Sequence, residues 1–105
     1  MRQFDVHRNL GTTRAGYPYL VVLQSSLFRE SDRRVVIPLA RTARRSPESG
    51  QLHPVFDIEG QSCSLMTLDL LTVPTDRLGP LVTNLAAESD AIIAAVDWVM
   101  NRDFG

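Results

Sequence analysis

The sequence predicts an α+β domain: a small antiparallel β-sheet followed by one C-terminal α-helix. Three observations predict it. Residues 3–74 carry short β-rich segments separated by polar or Gly/Pro-containing turns. Residues 85–100 are rich in alanine and contain no glycine or proline, as an uninterrupted helix requires. Finally, 105 residues with 44% hydrophobic and 22% charged side chains suit a single globular domain with one modest core, read here as residues 1–105.

The elements follow in order. Phe4 and Val6 alternate with Gln3, Asp5 and His7, the period of a half-buried first strand. Residues 8–16 are polar and turn-rich and read as a mobile loop. Tyr17-Pro18-Tyr19-Leu20-Val21-Val22-Leu23 reads as a second strand, with Pro18 suited to its start or to an edge. Val35-Val36-Ile37-Pro38-Leu39 is a third, which Pro38 is expected to stop, bend or confine to an edge. A second polar loop covers 40–52. His53 to Ile58 and Gln61 to Thr67 flank Glu59-Gly60, a hairpin signal. Leu68 to Pro74 offers a further strand, and Gly79-Pro80 marks a break before the helix.

Drawn as a helix, residues 85–100 place Asp90, Asp97 and Asn101 on one polar stripe, while Ala91, Ile92, Ala95, Val96, Trp98, Val99 and Met100 cover most of the remaining surface. A helix packed on one small core needs an apolar arc of only about 100°. The surplus predicts a second subunit, a homodimer with part of this helix near the interface.

Charge is unevenly distributed. The net charge is -1, but residues 1–50 carry a balance of +5 and residues 51–105 a balance of -6. There is no lysine. The arginines of the first half would attract an acidic protein segment or a nucleic-acid backbone. The single cysteine, Cys63, excludes an internal disulfide and a cysteine-based zinc cage. With no apolar leader and no run long enough to span a membrane, a reducing, cytoplasmic location is expected.

No catalytic constellation stands out. His7 and His53 are the only histidines and lack metal-ligand spacing. Cys63 sits in an apolar strand context and reads as filler. Asp57, Glu59 and Asp69 are a candidate carboxylate cluster, but Asp57 and Glu59 flank a hairpin turn, where acids commonly serve solubility. No serine sits in a Gly-x-Ser-x-Gly elbow, and the glycines form no phosphate loop. No metal or cofactor is expected, and the residues favour binding over catalysis.

Several stretches carry a resemblance. They are Gln3-Phe4-Asp5-Val6, Tyr17-Pro18-Tyr19-Leu20-Val21-Val22-Leu23-Gln24-Ser25-Ser26-Leu27-Phe28, Arg33-Arg34-Val35-Val36-Ile37-Pro38-Leu39-Ala40, His53-Pro54-Val55-Phe56-Asp57-Ile58, Met66-Thr67-Leu68-Asp69-Leu70-Leu71-Thr72-Val73-Pro74 and Ile92-Ile93-Ala94-Ala95-Val96-Asp97. In order and at this length, they resemble the CcdB family of toxins from bacterial toxin–antitoxin pairs. The resemblance implies a barrel-like sheet with a C-terminal helix, a homodimer, and a non-enzymatic toxin. Such toxins bind the DNA gyrase A subunit and trap gyrase on cleaved DNA. A cognate antitoxin with a disordered acidic tail releases them, and the pair represses its own promoter, with DNA contacted only through the antitoxin. Plasmid maintenance is a setting such pairs serve.

The family's gyrase contact uses a terminal Trp-Gly-Ile, and this chain ends Met100-Asn101-Arg102-Asp103-Phe104-Gly105. Two placements are open. Without a gap the trio falls on Asn101, Arg102 and Asp103; with a small insertion Phe104 and Gly105 take the place of Trp-Gly. Further family contact positions fall on Ser25, Leu27, Phe28 and Asp97. The resemblance places the antitoxin on loops 8–16 and 40–50, where Arg8, Arg14, Arg41, Arg44 and Arg45 would receive an acidic tail. The alternatives are an endoribonuclease toxin of the MazF type, for which Arg33, Arg34 and Thr67 supply candidate residues, and a degenerate CcdB-like binding module without gyrase activity.

Overall fold

A computed structural model describes residues 1–24, 31–42 and 51–100. Among them are seven strands and one helix: β1 (Asp5–Asn9), β2 (Tyr19–Val22), β3 (Arg33–Arg41), β4 (Val55–Ile58), β5 (Gln61–Leu65), β6 (Leu71–Pro74), β7 (Leu78–Asn84) and α1 (Ser89–Met100). The strands form one antiparallel sheet in the order β4-β5-β3-β2-β1-β7, with β6 also paired to β3. The sheet is curled into a half-barrel against which α1 packs. The α+β reading therefore holds.

The long strand β3 is the hub. On one side Val36 to Leu39 pair with Val22 to Tyr19 of β2. On the other side β3 has two partners in succession: β6 along Arg33–Val36 and β5 along Leu39–Arg41. Pro38 falls in the gap between them. Its carbonyl accepts a hydrogen bond from the Met66 N–H at 2.9 Å, so its nitrogen also faces the side where the partner changes. No ladder donor is missing there, and β3 continues through the proline instead of ending or lying on an edge.

Gly79-Pro80 likewise lies inside β7 and does not end a strand. The β1–β7 register shifts between His7 and Asn9, whose partners are Leu81 and Leu78. The proline sits in this bulge on an edge strand, where a missing N–H costs nothing. The His7 ring fills the irregularity: its Nδ1–H donates to the Gly79 carbonyl at 2.8 Å. A Cβ on Gly79 would meet the Leu10 side chain at 3.0 Å and the Arg8 carbonyl at 3.2 Å, so the backbones approach closely here.

The alternation of β2 and β3 builds two apolar layers. Val6, Tyr19, Val21, Ile37, Leu39, Ile58, Cys63 and Leu65 face α1, whose Ile92 and Ala95 complete that core. Leu20, Val22, Val36 and Leu78 form a smaller cluster on the opposite face, with Val73 against it. The helix begins at Ser89, later than the sequence pattern allows, because Ala86–Glu88 form a 3₁₀ turn. Of α1, only Ile92 and Ala95 are buried.

This division predicts opposite outcomes for neighbouring residues. Ile92→Ala, at a fully buried site, is expected to lower unfolding stability by about 2–5 kcal/mol. Ile93→Ala, at a site 48% exposed, is expected to change the same denaturation midpoint by under about 0.5 kcal/mol equivalent.

Candidate functional site

Among the described residues, three surfaces carry side chains not consumed by the core. The first surrounds the β4–β5 hairpin tip. Ile58 pairs with Gln61, and Glu59 and Gly60 turn the chain with φ of 54° and 79°. Both positive φ values are those of a type I′ turn. Gly60 is suited to this; Glu59 is not, and the left-handed region costs such a residue about 1–2 kcal/mol.

The Glu59 carboxylate offsets that cost. Its Oε1 accepts the Tyr19 hydroxyl at 2.6 Å and its Oε2 accepts Arg8 Nη2 at 2.6 Å. The exposed Arg8–Glu59 pair contributes at most about 1 kcal/mol. The bond from buried Tyr19 to a charged acceptor adds roughly 1.5 kcal/mol or more. The Arg8 guanidinium lies 5.9 Å from the Tyr19 ring centre. Three strand spacings, roughly 14 Å in a flat sheet, separate β5 from β1. The sheet's curl brings the two within side-chain reach. At the residue after the same turn, Arg41 Nε donates to Gln61 Oε1 at 2.8 Å.

The second surface is a groove of about 530 Å³ on the sheet face opposite α1. Leu20, Pro38 and Val73 contribute apolar lining, and Thr12, Thr13 and Arg77 polar groups. Tyr17 donates to Asp69 Oδ2 across it at 2.5 Å. The loop 10–17 beside the groove is braced by Asn9. Its Nδ2 donates to the Tyr17 carbonyl at 2.8 Å and to Thr13 Oγ1 at 3.1 Å, and its Oδ1 accepts the Gly11 N–H at 2.8 Å.

The third surface is the outer face of α1. Trp98 lies between two hollows, one lined by Pro54, Ala91 and Ala94, the other by Leu52, Leu68 and Val99. Leu68 is 64% exposed and Met100 66% exposed. Ile93 and Val99 of the same helix are exposed as well.

The residues expected at binding sites distribute unevenly. Arg8 and Arg41 both reach the β4–β5 hairpin tip, Arg8 at Glu59 and Arg41 at Gln61. Arg14 stands apart, exposed, with Nη1 on the Gly11 carbonyl at 3.0 Å. Asp97 is exposed on α1. Ser25, Leu27, Phe28, Arg44, Arg45, Asn101, Phe104 and Gly105 lie outside the described residues. The carboxylates Asp57, Glu59 and Asp69 do not converge. Among the described residues no cluster of three or more His, Cys, Asp or Glu is placed to hold a metal ion, and no helix is long and apolar enough to cross a membrane.

Sequence reasoning did not pair Glu59 with Tyr19 and Arg8. The available signal was a Glu at the turn position where Asn, Asp or Gly is favoured.

The family model for CcdB protein matches residues 3–101. The chain belongs to the CcdB family. Membership supports a toxin of a toxin–antitoxin pair. The fold is also similar to solved structures of other toxins. Mycobacterium tuberculosis toxin MazF-mt6 superposes with a TM-score of 0.76 at 17% identity, over 95% of this chain and 99% of that one. An endoribonuclease in complex with its cognate antitoxin from a mycobacterial species gives 0.76 at 13% identity, over 100% and 99%. A further mycobacterial endoribonuclease gives 0.72 at 14% identity, over 100% and 95%. At these identities the likeness is one of fold.

The two phenol–carboxylate bonds have a titration consequence. The hydrogen bond to Glu59, reinforced by burial, holds the Tyr19 phenol above its ordinary pKa of 10.0; the bond to Asp69 does the same for Tyr17. A folded pKa raised above the unfolded one gives stability that is present below pH 10 and lost as pH rises through the folded values. In an ultraviolet titration both tyrosines are expected to ionise above pH 10, and Glu59→Gln to return Tyr19 towards it.

Proposed function

We propose that this CcdB family member is the toxin of a type II toxin–antitoxin pair that acts as a homodimer. It binds the DNA gyrase A subunit and holds gyrase on cleaved DNA until a cognate antitoxin with an acidic tail removes it. The observation that carries the reading is the apolar outer face of α1, where Ile93, Val99 and Met100 are exposed and which adjoins the exposed Leu68. An apolar surface of this kind on a small domain is suited to burial against protein. A doubled copy presents a two-fold surface to a two-fold enzyme, and trapping needs only tighter binding to one conformer of the target. The pair's self-repression, with the antitoxin contacting DNA, belongs to the same reading.

Of the residues offered for RNA cleavage, Arg33 is exposed, but Arg34 and Thr67 do not support it. Thr67 is 1% exposed and its hydroxyl donates to the Leu52 carbonyl at 2.6 Å. Arg34 is buried, with Nη1 donating to the Ser31 and Arg33 carbonyls. A general acid must reach its substrate. One observation favours the endoribonuclease reading by a different set: the groove that holds Thr12, Thr13, Tyr17, Asp69 and Arg77.

Three measurements separate these readings. Leu68→Glu is expected to convert a two-subunit particle to one subunit in sedimentation while leaving the circular dichroism spectrum unchanged. Expression is expected to arrest growth in cells with normal gyrase and not in cells whose gyrase A subunit cannot bind the protein; removing residues 101–105 should abolish the arrest. Purified protein is expected to leave RNA intact. Cleavage that disappears in Arg77→Ala would replace the gyrase reading with the endoribonuclease one.

A further inference from the structure

The Glu59 contact departs from local preference in a way that points to a site. Its two donors are set by the sheet: Arg8 and Tyr19 are direct partners in the β1–β2 register. Tyr19 is only 3% exposed, so its hydroxyl is fixed in place. The acceptor is different. It stands on a hairpin tip, its side chain is 39% exposed, and its backbone is in the left-handed region. The Tyr19 hydroxyl is preorganised and the Arg8 side chain, itself 49% exposed, lies against its ring, whereas the acceptor is held at a conformational cost that leaving the site does not increase.

We propose that Arg8 and Tyr19 form a carboxylate-binding site that the chain fills with its own Glu59, and that an acidic peptide segment occupies this site by displacing Glu59. The proposal rests on the antitoxin part of the preceding reading and adds the site and its competitor. Arg41, bonded to Gln61 beside the same turn, supplies a second cation for the next acid of an extended segment. A carboxylate is favoured over a nucleic-acid phosphate because the resident group is a planar two-oxygen acid with one oxygen on each donor. Asp57, the other acid of the hairpin, lies on β4 and pairs with Ser62 across the ladder.

A tethered competitor acts at an effective concentration in the millimolar range. The apparent affinity for an outside ligand falls by the fraction of sites left free. With about one site in ten free, removing the Glu59 carboxylate tightens binding about tenfold.

The test uses the full chain and a labelled short poly-glutamate peptide, read by fluorescence anisotropy at low ionic strength. Glu59→Gln is expected to bind the peptide about tenfold more tightly than the natural chain. Glu59→Asn, whose residue type suits the left-handed turn, should give the same gain with an unchanged thermal midpoint. Arg8→Ala should erase the gain in either background. The proposal is overturned if neither Glu59 variant tightens binding, if the gain survives Arg8→Ala, or if a single-stranded oligonucleotide gains affinity and the peptide does not. Gyrase plays no part in this readout, so failure of the growth-arrest test and failure of this one are separate results.

Discussion

The change of partner along β3 is the constraint on which the rest of the molecule depends. One strand is bonded to β2 along one side and, in succession, to β6 and β5 along the other. A proline occupies the one stretch where the second side has no ladder to satisfy. The partner change sends β6 and β5 in different directions, and the sheet can no longer lie flat. The curl that results lets a hairpin tip reach a strand three places away, gives the opposite face its groove, and leaves one concave apolar surface for a single helix.

Much of this was legible in the residues. The alternation of β2 and β3, the Glu59-Gly60 turn and the glycine-free terminal helix each carry a local signal, and the structure follows them. The two proline readings failed for one shared reason. Pro38 and Pro80 were weighed as breakers of an isolated strand, but the penalty for a missing N–H depends on what lies opposite. Opposite Pro38 the partner changes, and at Pro80 there is a bulge on a sheet edge. Neither is encoded within a few residues of the proline. The candidate site was half legible. The helix's surplus apolar surface follows from its sequence, and the structure buries only Ile92 and Ala95 of it. The contact between Arg8 and Glu59 spans 51 positions, and no local pattern announces a pairing of that range.

The fold alone does not decide what the protein does. The same curled sheet and helix superpose on MazF-type toxins and mycobacterial endoribonucleases at 13–17% identity. A shared architecture at that distance leaves the side chains free to differ. In this chain Thr67 and Arg34 are committed to backbone carbonyls, while Leu68, Met100 and the Arg8 side chain are exposed.

Cys63 gives the architecture one more property. It is fully buried on β5 between Arg41 of β3 and Phe56 of β4, and burial pushes its thiol pKa up, with Asp57 adding to the rise and Arg41 opposing it. In the closed sheet it offers almost no thiolate to an alkylating reagent. Its rate of modification is therefore a built-in clock for excursions of the hairpin that carries Glu59, ticking only when that flap lifts from its neighbour.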